Sequence, residues 1–598
     1  MANERLQKLR AQMEQHQMDA YYIPSSDFHD SENVEAYFGC RAFISGFTGS
    51  AGAMVVTKDF SGLWTDGRYF VQAKKQLKGQ DTELMRMGNE GVPTVFEFLE
   101  EHLPEGGILG MDGRVVNTEV GRAFMKILEK KHASVSVQYD LVGEIWSERP
   151  ELTVPKVWIL GTEYAGEDAK SKIGRLRKKM EACGATHHIL SGLDDIAWLL
   201  NIRMNPVNGN VLPAAHMIIE KNAIRLFINS SRFDSTLSSY MEENGVQVKP
   251  YEAIYEETSA IRSGVILLEP GKVNYALFSG IHESNRIVEA MNPSSAMKAV
   301  KNPAEIENLR KVHIKDGVAL TKFIYWLKEK APKGALTETE AAERLEEFRK
   351  ENEGYLCPSF PTISAFGANA AMCHYHATKE EESVIEEKGF YLVDSGGQYL
   401  EGTTDVTRTL VLGPVSEEMK LHYTLVLMGA LRLADAKFLY GCRGINLDYL
   451  ARGPLWKRGL DFNHGTGHGV GFLSNVHERP NGFRWRIVPE RQDSCVLEEG
   501  MFTSDEPGLY IEGSHGIRTE NLLMCKKAEK NMYGQFMEFE TLTLAPIDTE
   551  AIDCSVMEPA DMELLNAYHK KVYETLASYL TEEERQWLKD ATKPIGEK

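Results

Sequence analysis

No two of the eight cysteines stand in a CxxC pair. Their scatter argues against a disulfide framework or a cysteine-built zinc site and fits reduced thiols in a cytoplasm-like compartment. No stretch approaches the roughly 18 apolar residues that cross a membrane. The opening MANERLQKLRAQMEQHQMDA mixes both charge signs and lacks the apolar run of a signal peptide. Basic residues are scarce: 67 Lys and Arg against 87 Asp and Glu leave a net charge of -20, which speaks against a nucleic-acid or anionic-membrane surface. There is no low-complexity tract. What is present, 42% hydrophobic and 26% charged residues over 598 positions, is the composition of an ordinary globular protein of three or four domains. A cytoplasmic protein is the expectation.

Residues 1–150 alternate between helix-like and strand-like stretches. Leu6, Leu9 and Met13 share one helical face, DAYYIP reads as a strand, and AGAMVVT and GLWTDGRY read as paired strands. TEVGRAFMKILEKK reads as an amphipathic helix capped by Thr118. Pro150 and Pro155 bracket a linker. The alternation restarts over 156–300, with a helix at SKIGRLRKKMEACGA, a strand at THHIL and a strand pair at AAHMIIE and AIRLFIN, so that the two segments look like weak duplicates. A third domain, 301–546, opens on a long helix with Asn302 as cap, Pro303 in the first turn, and Glu305 and Glu307 at its positive end. Thr337 and Glu340 form a capping-box pattern for a second helix. From Phe360 to about Pro546 the sequence reads as strand- and glycine-rich. A helical extension, 547–598, closes the chain.

The third domain places acids and histidines on strands. FYLVDSGG sets Asp394 at the end of an apolar run, and TTDVTRTLVL sets Asp405 inside a β-branched one. A hairpin turning near Tyr399 and Leu400, with Gly396, Gly397 and Gly402 available for the turn, would put the two aspartates roughly opposite each other. HGTGHGVG follows with His464 and His468, then Glu506 in SDEPG and Glu520 in GIRTENLLM. An acid facing inward on a strand is costly unless paired or bound to a cation. Arg408 and Arg518 are the obvious counter-charges, and two arginines cannot cover four carboxylates. Divalent cations can. The hard, oxygen-rich set favours manganese, with cobalt, iron or zinc as other candidates. Bridging carboxylates hold two ions about 3.5 Å apart, the spacing that lets both share one nucleophile.

These five residues in DSG, TTDVTRT, HGTGHGVG, SDEPG and GIRTEN resemble the metal ligands of the pita-bread metallopeptidases, which include methionine aminopeptidase, prolidase and aminopeptidase P. PSSDFHDSE, FISGFTGSAG, LWTDGRYFVQA, LDDIAWLLNIR, KNPAEIENLRKVHIKDG, FPTISAFGANAAMCHY, NVHE and the closing EERQWLKDATKPI resemble the long, three-domain cytosolic aminopeptidase P over essentially the whole chain. The resemblance implies an α/β (α+β) architecture with two creatinase-like N-terminal domains ahead of a pita-bread catalytic domain. It implies that Asp394 chelates one ion, that His468 and Glu506 bind the other, and that Asp405 and Glu520 bridge them.

It also implies that a shared hydroxide attacks the scissile carbonyl and that Glu506 takes the proton toward the leaving proline nitrogen. His374, His464 and His477 match the histidines that line the family's site, and Arg518 and Tyr510 match positions that orient the ligands. Arg479 stands where the family usually has glycine, which puts the rim beside His477 in doubt. His376 and His422 receive no role. The implied substrates are peptides with proline second, and the implied assembly is a homodimer. WTDGRY is a candidate for a rim that limits access, unless its aromatics are core. Two other readings stay open: an Xaa-Pro dipeptidase on the same metals, and a non-catalytic pita-bread binding module.

Overall fold

The structure, a computed structural model, describes residues 2–596; Met1, at the head of the first expected domain, and Glu597 and Lys598, at the end of the last, lie outside the described residues. The chain forms two compact units. One runs to Ile159 and includes Glu167–Ser294; the other holds Leu160–Gly166 and the chain from Ser295 onward.

The first unit is built twice from one pattern. Its first sheet orders six strands as Glu83–Arg86, Ser61–Thr65, Ala53–Thr57, Ala20–Pro24, Ile108–Gly110 and Ser134–Ser136. Its second orders Val246–Lys249, Ile224–Ile228, Ala215–Glu220, His187–Leu190, Val265–Leu268 and Arg286–Glu289. Read across, both sheets pair parallel, antiparallel, antiparallel, parallel, parallel. The weak duplicate in the sequence is thus a repeat of topology, strand for strand. The helix Ala2–Gln15 buries Leu6, Leu9 and Met13 as its periodicity requires.

Two details differ from the sequence reading. The helix Thr118–Lys130 is capped by Asn117, whose side chain accepts from Val120 N, while Thr118 Oγ1 donates to Val273 O. In WTDGRY, Trp64 and Tyr69 are buried in this unit's own core, so the aromatics are packing residues and not a rim.

In the second unit the long helix Pro303–Lys330 starts as its sequence dictates. Asn302 accepts from Ala304 N and Glu305 N, and Glu305 reaches back to Asn302 N. Thr337 and Glu340 box the helix Glu338–Lys350 in the same way. A three-stranded sheet orders Ile363–Phe366, Phe390–Ser395 and Val406–Val411; an antiparallel one includes Asn521–Asn531, Phe502–Asp505, Gly467–Gly469 and Glu478–Phe483. Between these strands the stretch read as strand- and glycine-rich also holds two helices, Glu417–Ala434 and Gly444–Trp456. Almost every residue from His422 to Leu433 is buried, so the first of these has no polar face to give it an amphipathic period.

The hairpin carrying the two aspartates does turn after Tyr399, but its register differs from the one expected. Asp394 lies opposite Thr407, and Asp405 precedes the strand. Gly396 and Gly397 belong to the crossing and not to the turn: a Cβ on Gly396 would sit 1.9 Å from Thr404 O. The pairing keeps one register from Phe390 to the turn, which falls at Leu400 and Glu401.

Candidate metal centre

The candidate ligands are delivered on strands or just beyond their ends. Asp405 enters from the start of Val406–Val411, His468 from the middle of Gly467–Gly469, Glu506 just past Phe502–Asp505, and Glu520 just past His515–Arg518. Ligand atoms of Asp405, His468 and Glu520 lie within 4.8 Å of one another. His468 Nε2 is 3.3 Å from Glu506 Oε1 and 3.6 Å from Asp405 Oδ2. His468 Nδ1 lies 3.0 Å from Gly469 O, a bond that places the proton on Nδ1 in the neutral ring and leaves Nε2 as a lone pair facing the carboxylates.

The glycines of HGTGHGVG make this approach possible. A Cβ at Gly467 would stand 1.8 Å from Ser504 O, and one at Gly469 would stand 2.3 Å from Glu478 O. No side chain fits there. Ser504 turns its hydroxyl to His468 N and to Glu506, while Glu506 N donates to Thr466 O at 2.8 Å.

Asp394 is held differently. Its Oδ2 accepts from Arg518 Nη2, and its Oδ1 is buried without a hydrogen-bond partner. Arg518 also donates to Tyr510 OH at 2.6 Å, and Tyr510 OH is 2.8 Å from His464 Nε2. His464 Nδ1 is bonded to Gly465 O, so Nε2 accepts from the tyrosine. A continuous chain runs from Asp394 through Arg518 and Tyr510 to His464. Arg518 Nε further donates to Thr407 Oγ1, which donates to Glu520 Oε2 at 2.8 Å.

The electrostatics are those of acids short of counter-charge. Burial, then the charge of Asp394, raises the Asp405 carboxyl well above its ordinary range. Burial, then Asp405 and Asp394, does the same to Glu520. Glu506 runs the other way: burial would raise it, but the hydrogen bond and charge of His468 bring it down to about 2. His468 is correspondingly pushed up to about 9 by Glu506 and Asp405 against burial. Burial holds His464 down at about 4, a neutral acceptor.

Arg408 is not the second counter-ion that the sequence suggested. It is buried and spends its guanidinium on the carbonyls of Thr407, Glu520, Ala545 and Pro546, with Asn521 Oδ1 and Tyr568 OH as further partners. That leaves Arg518 and His468 against Asp394, Asp405, Glu506 and Glu520. The deficit, together with the orphaned Asp394 Oδ1, fits divalent cations.

Of the other residues singled out in the sequence, His477 is exposed with its ring centroid 4.2 Å from that of His468. Arg479 reaches Gln492 Oε1 at 2.9 Å. His374 is half-buried, just past the 3₁₀ turn Gly367–Ala371. That turn lies on the Arg518 strand, because a Cβ at Gly516 would be 1.8 Å from Ala370 O. His422 is a packed residue, its Nδ1 3.0 Å from His515 Nε2.

His376, given no role in the sequence, has its pKa lowered by burial against the opposing charge of Asp394. One residue went unread. Asp505 is wholly buried with both oxygens unpartnered, and burial, then the charge of Glu506, raises it well above the carboxylate range. The alternation of Phe502–Asp505 was the available signal: Ser504 faces the centre, so Asp505 faces away from it.

Residues 307–527 match the model of metallopeptidase family M24, and 535–595 match that of the C-terminal region of peptidase M24. Two matches to the creatinase/prolidase N-terminal domain cover 5–142 and 148–305. A probable Xaa-Pro aminopeptidase P of Paracoccidioides brasiliensis is 38% identical, over 99% of both chains. The chain belongs to the Xaa-Pro aminopeptidase family of M24 metallopeptidases. Within that family, aminopeptidase P2 of Arabidopsis thaliana is also 38% identical, over 97% of this chain and 86% of its own. The crystal structure of X-prolyl aminopeptidase from Caenorhabditis elegans, described as a cytosolic enzyme with a di-nuclear active site, superposes with a TM-score of 0.94. It is 34% identical, with all of both chains covered. Two creatinase-like domains and a pita-bread catalytic domain are therefore the architecture of this family member.

Proposed function

We propose that this chain is an aminopeptidase that hydrolyses the bond between the first residue of a peptide and a proline in second place. The observation that carries it is the convergence of Asp405, His468 and Glu520 beside Glu506 and the orphaned Asp394 oxygen, within a chain aligned end to end with Xaa-Pro aminopeptidases. In this reading the expected segments 1–150, 156–300, 301–546 and 547–598 are two creatinase-like domains, the catalytic domain and its extension.

Asp394, Asp405, His468, Glu506 and Glu520 would together hold two divalent cations. Manganese suits so oxygen-rich a set better than zinc or cobalt. Such cations would supply Lewis-acid polarisation of a carbonyl and a lowered pKa for bound water. The chain's own residues do the rest. Glu506, held ionised by His468, is the base that can take a proton and return it to the proline nitrogen. His464, kept neutral and fixed by Tyr510 and Arg518, lines the centre with His374 and His477 to steady charge on the substrate oxygen.

A cytoplasmic location agrees with the cytosolic relative, and no helix among the described residues is long and apolar enough to cross a membrane. A homodimer is part of the proposal. Tyr449, Trp456 and Trp485 are exposed and touch in sequence, with centroids 6.0 and 6.2 Å apart, a surface suited to an isologous contact. Trp456→Glu is expected to halve the mass read by light scattering.

The assay is release of the first residue from an Arg-Pro-Pro-type peptide by EDTA-stripped protein, with and without manganese, against the same peptide with alanine second. Manganese-dependent cleavage of the proline peptide alone is expected. Cleavage of an Xaa-Pro dipeptide but no tripeptide would make the chain a dipeptidase. No cleavage with any divalent ion would leave a binding module.

A further inference from the structure

The loop that carries His374 is fastened to a carboxylate outside the centre. Glu338 is the first residue of the helix Glu338–Lys350 and is fully buried. Its Oε1 accepts from Phe366 N at 2.6 Å and from Asn369 Nδ2 at 3.0 Å. Its Oε2 accepts from Asn369 Nδ2 at 3.2 Å, Tyr375 OH at 2.8 Å and Ser383 N at 2.8 Å. Every partner is a donor, so both oxygens serve as acceptors, of five bonds in all.

These partners are not scattered. Phe366 is where the loop leaves its strand and Asn369 lies in the 3₁₀ turn, while Tyr375 follows His374 directly and Ser383 is the exit. The loop's own turns close around the same points: Met372 N donates to Asn369 O and Tyr375 N to Met372 O, both at 3.0 Å. The main chain of Glu338 completes the fastening. Its N–H donates to Ser383 O at 3.2 Å, and its carbonyl accepts from Ser364 Oγ at 2.6 Å. His374 therefore hangs between two residues, Asn369 and Tyr375, that share one anchor.

We propose that Glu338 is the positioning residue of the His374 loop: it sets where the imidazole stands at the centre while touching no candidate metal ligand. The inference rests on the reading that His374 serves the reaction. A carboxylate accepting five bonds from four donors also cannot be replaced silently by its amide, because Glu338→Gln would turn an N–H₂ toward at least one N–H or O–H.

The test is a double-mutant cycle on the full-length, manganese-loaded protein with an Xaa-Pro-Yaa peptide, with metal content measured for every variant. His374→Ala is expected to lower kcat by about 10²-fold, the scale of one lost transition-state donor. Glu338→Gln is expected to lower kcat about 10-fold with KM and metal content unchanged, since a small misplacement is enough to cost that much. The double variant is expected to match His374→Ala within about twofold, the signature of residues acting as one unit.

If Glu338→Gln costs the same factor with or without His374, it acts elsewhere and the proposal fails. It fails equally if Glu338→Gln lowers only the melting temperature. If His374→Ala alone leaves kcat unchanged, it is the reading of His374 that falls. Should Glu338→Gln not fold, Tyr375→Phe removes a single bond of the five and carries the same cycle at smaller amplitude.

Discussion

Asp316 and Asp405 line the same small cavity beneath the long helix, and both are buried. Asp316 meets Arg349 side-on, with Nε at 2.8 Å and Nη2 at 3.1 Å, and accepts from Tyr399 OH at 2.8 Å. Burial would raise its pKa, yet Arg349 takes it below the usual value. Asp405 has acids for neighbours and goes well above. Burial is common to both; the missing counter-charge belongs to one. A buried acid alone therefore does not mark a metal centre, whereas a buried acid whose neighbours are more acids does.

The largest effect that would break this contrast comes from exchanging the fates of the two aspartates. Asp405→Asn is expected to cost more than about 10²-fold in kcat, beyond the ~10–100-fold loss typical of an outer partner, and to lower bound metal. Asp316→Asn should leave bound metal unchanged and instead destabilise the fold by about 3–5 kcal/mol, because Arg349 loses its buried partner. Metal analysis and denaturant midpoints on the two variants check it. Metal lost from both would collapse the distinction.

Arg518 tests the guanidinium that pairs with Asp394 at the centre. Arg518→Met is expected to weaken metal affinity by about 10–100-fold through Asp394, as read by competition with a chelator.

Stability against pH sharpens the contrast further. In metal-free protein the folded pKa values of Asp405, Glu520 and His468 lie above their unfolded ones. Their contribution is then complete at low pH and fades as pH rises; for His468 it is full below about 6.5 and lost through about 9. Glu506 has the opposite sign, present above about 4.3 and lost only as pH falls toward about 2. Cations take the place of those protons. The melting-temperature gap between loaded and metal-free protein is expected to widen from pH 6 to 9, and a constant gap would count against the charge deficit. The smallest effect is the uncharged control. Asn117→Ala removes one helix cap in the first unit, costs about 1 kcal/mol in a denaturant melt and changes no metal number.

Much of this was legible in the sequence because strands print their residues with a period of two. An acid at the end of FYLVD or within TTDVTRT has to be explained, and glycines at alternate positions of HGTGHGVG announce close approach. The hairpin register was not legible, since it depends on a turn one residue later than the glycines suggest, at Leu400 and Glu401. The helix Glu417–Ala434 escaped because it is buried on all sides, and Arg408 was misread because an arginine among acids need not face them. Glu338 showed itself only as a capping-box neighbour; the four segments that meet on it are brought together by tertiary structure.

Arg408 has a consequence for how the chain can be divided. Its guanidinium links the main chain at Glu520 to that of Ala545 and Pro546 and to Tyr568 in the helix Pro559–Leu576. The closing helices look like an appendage in the sequence, with no chemistry of their own. They are instead the back wall on which two candidate ligand strands are hung. A shorter member of the fold that lacks them has to supply other acceptors to that arginine, or do without it. The hydrogen bonds of Arg408 therefore run across the boundary expected near residue 546.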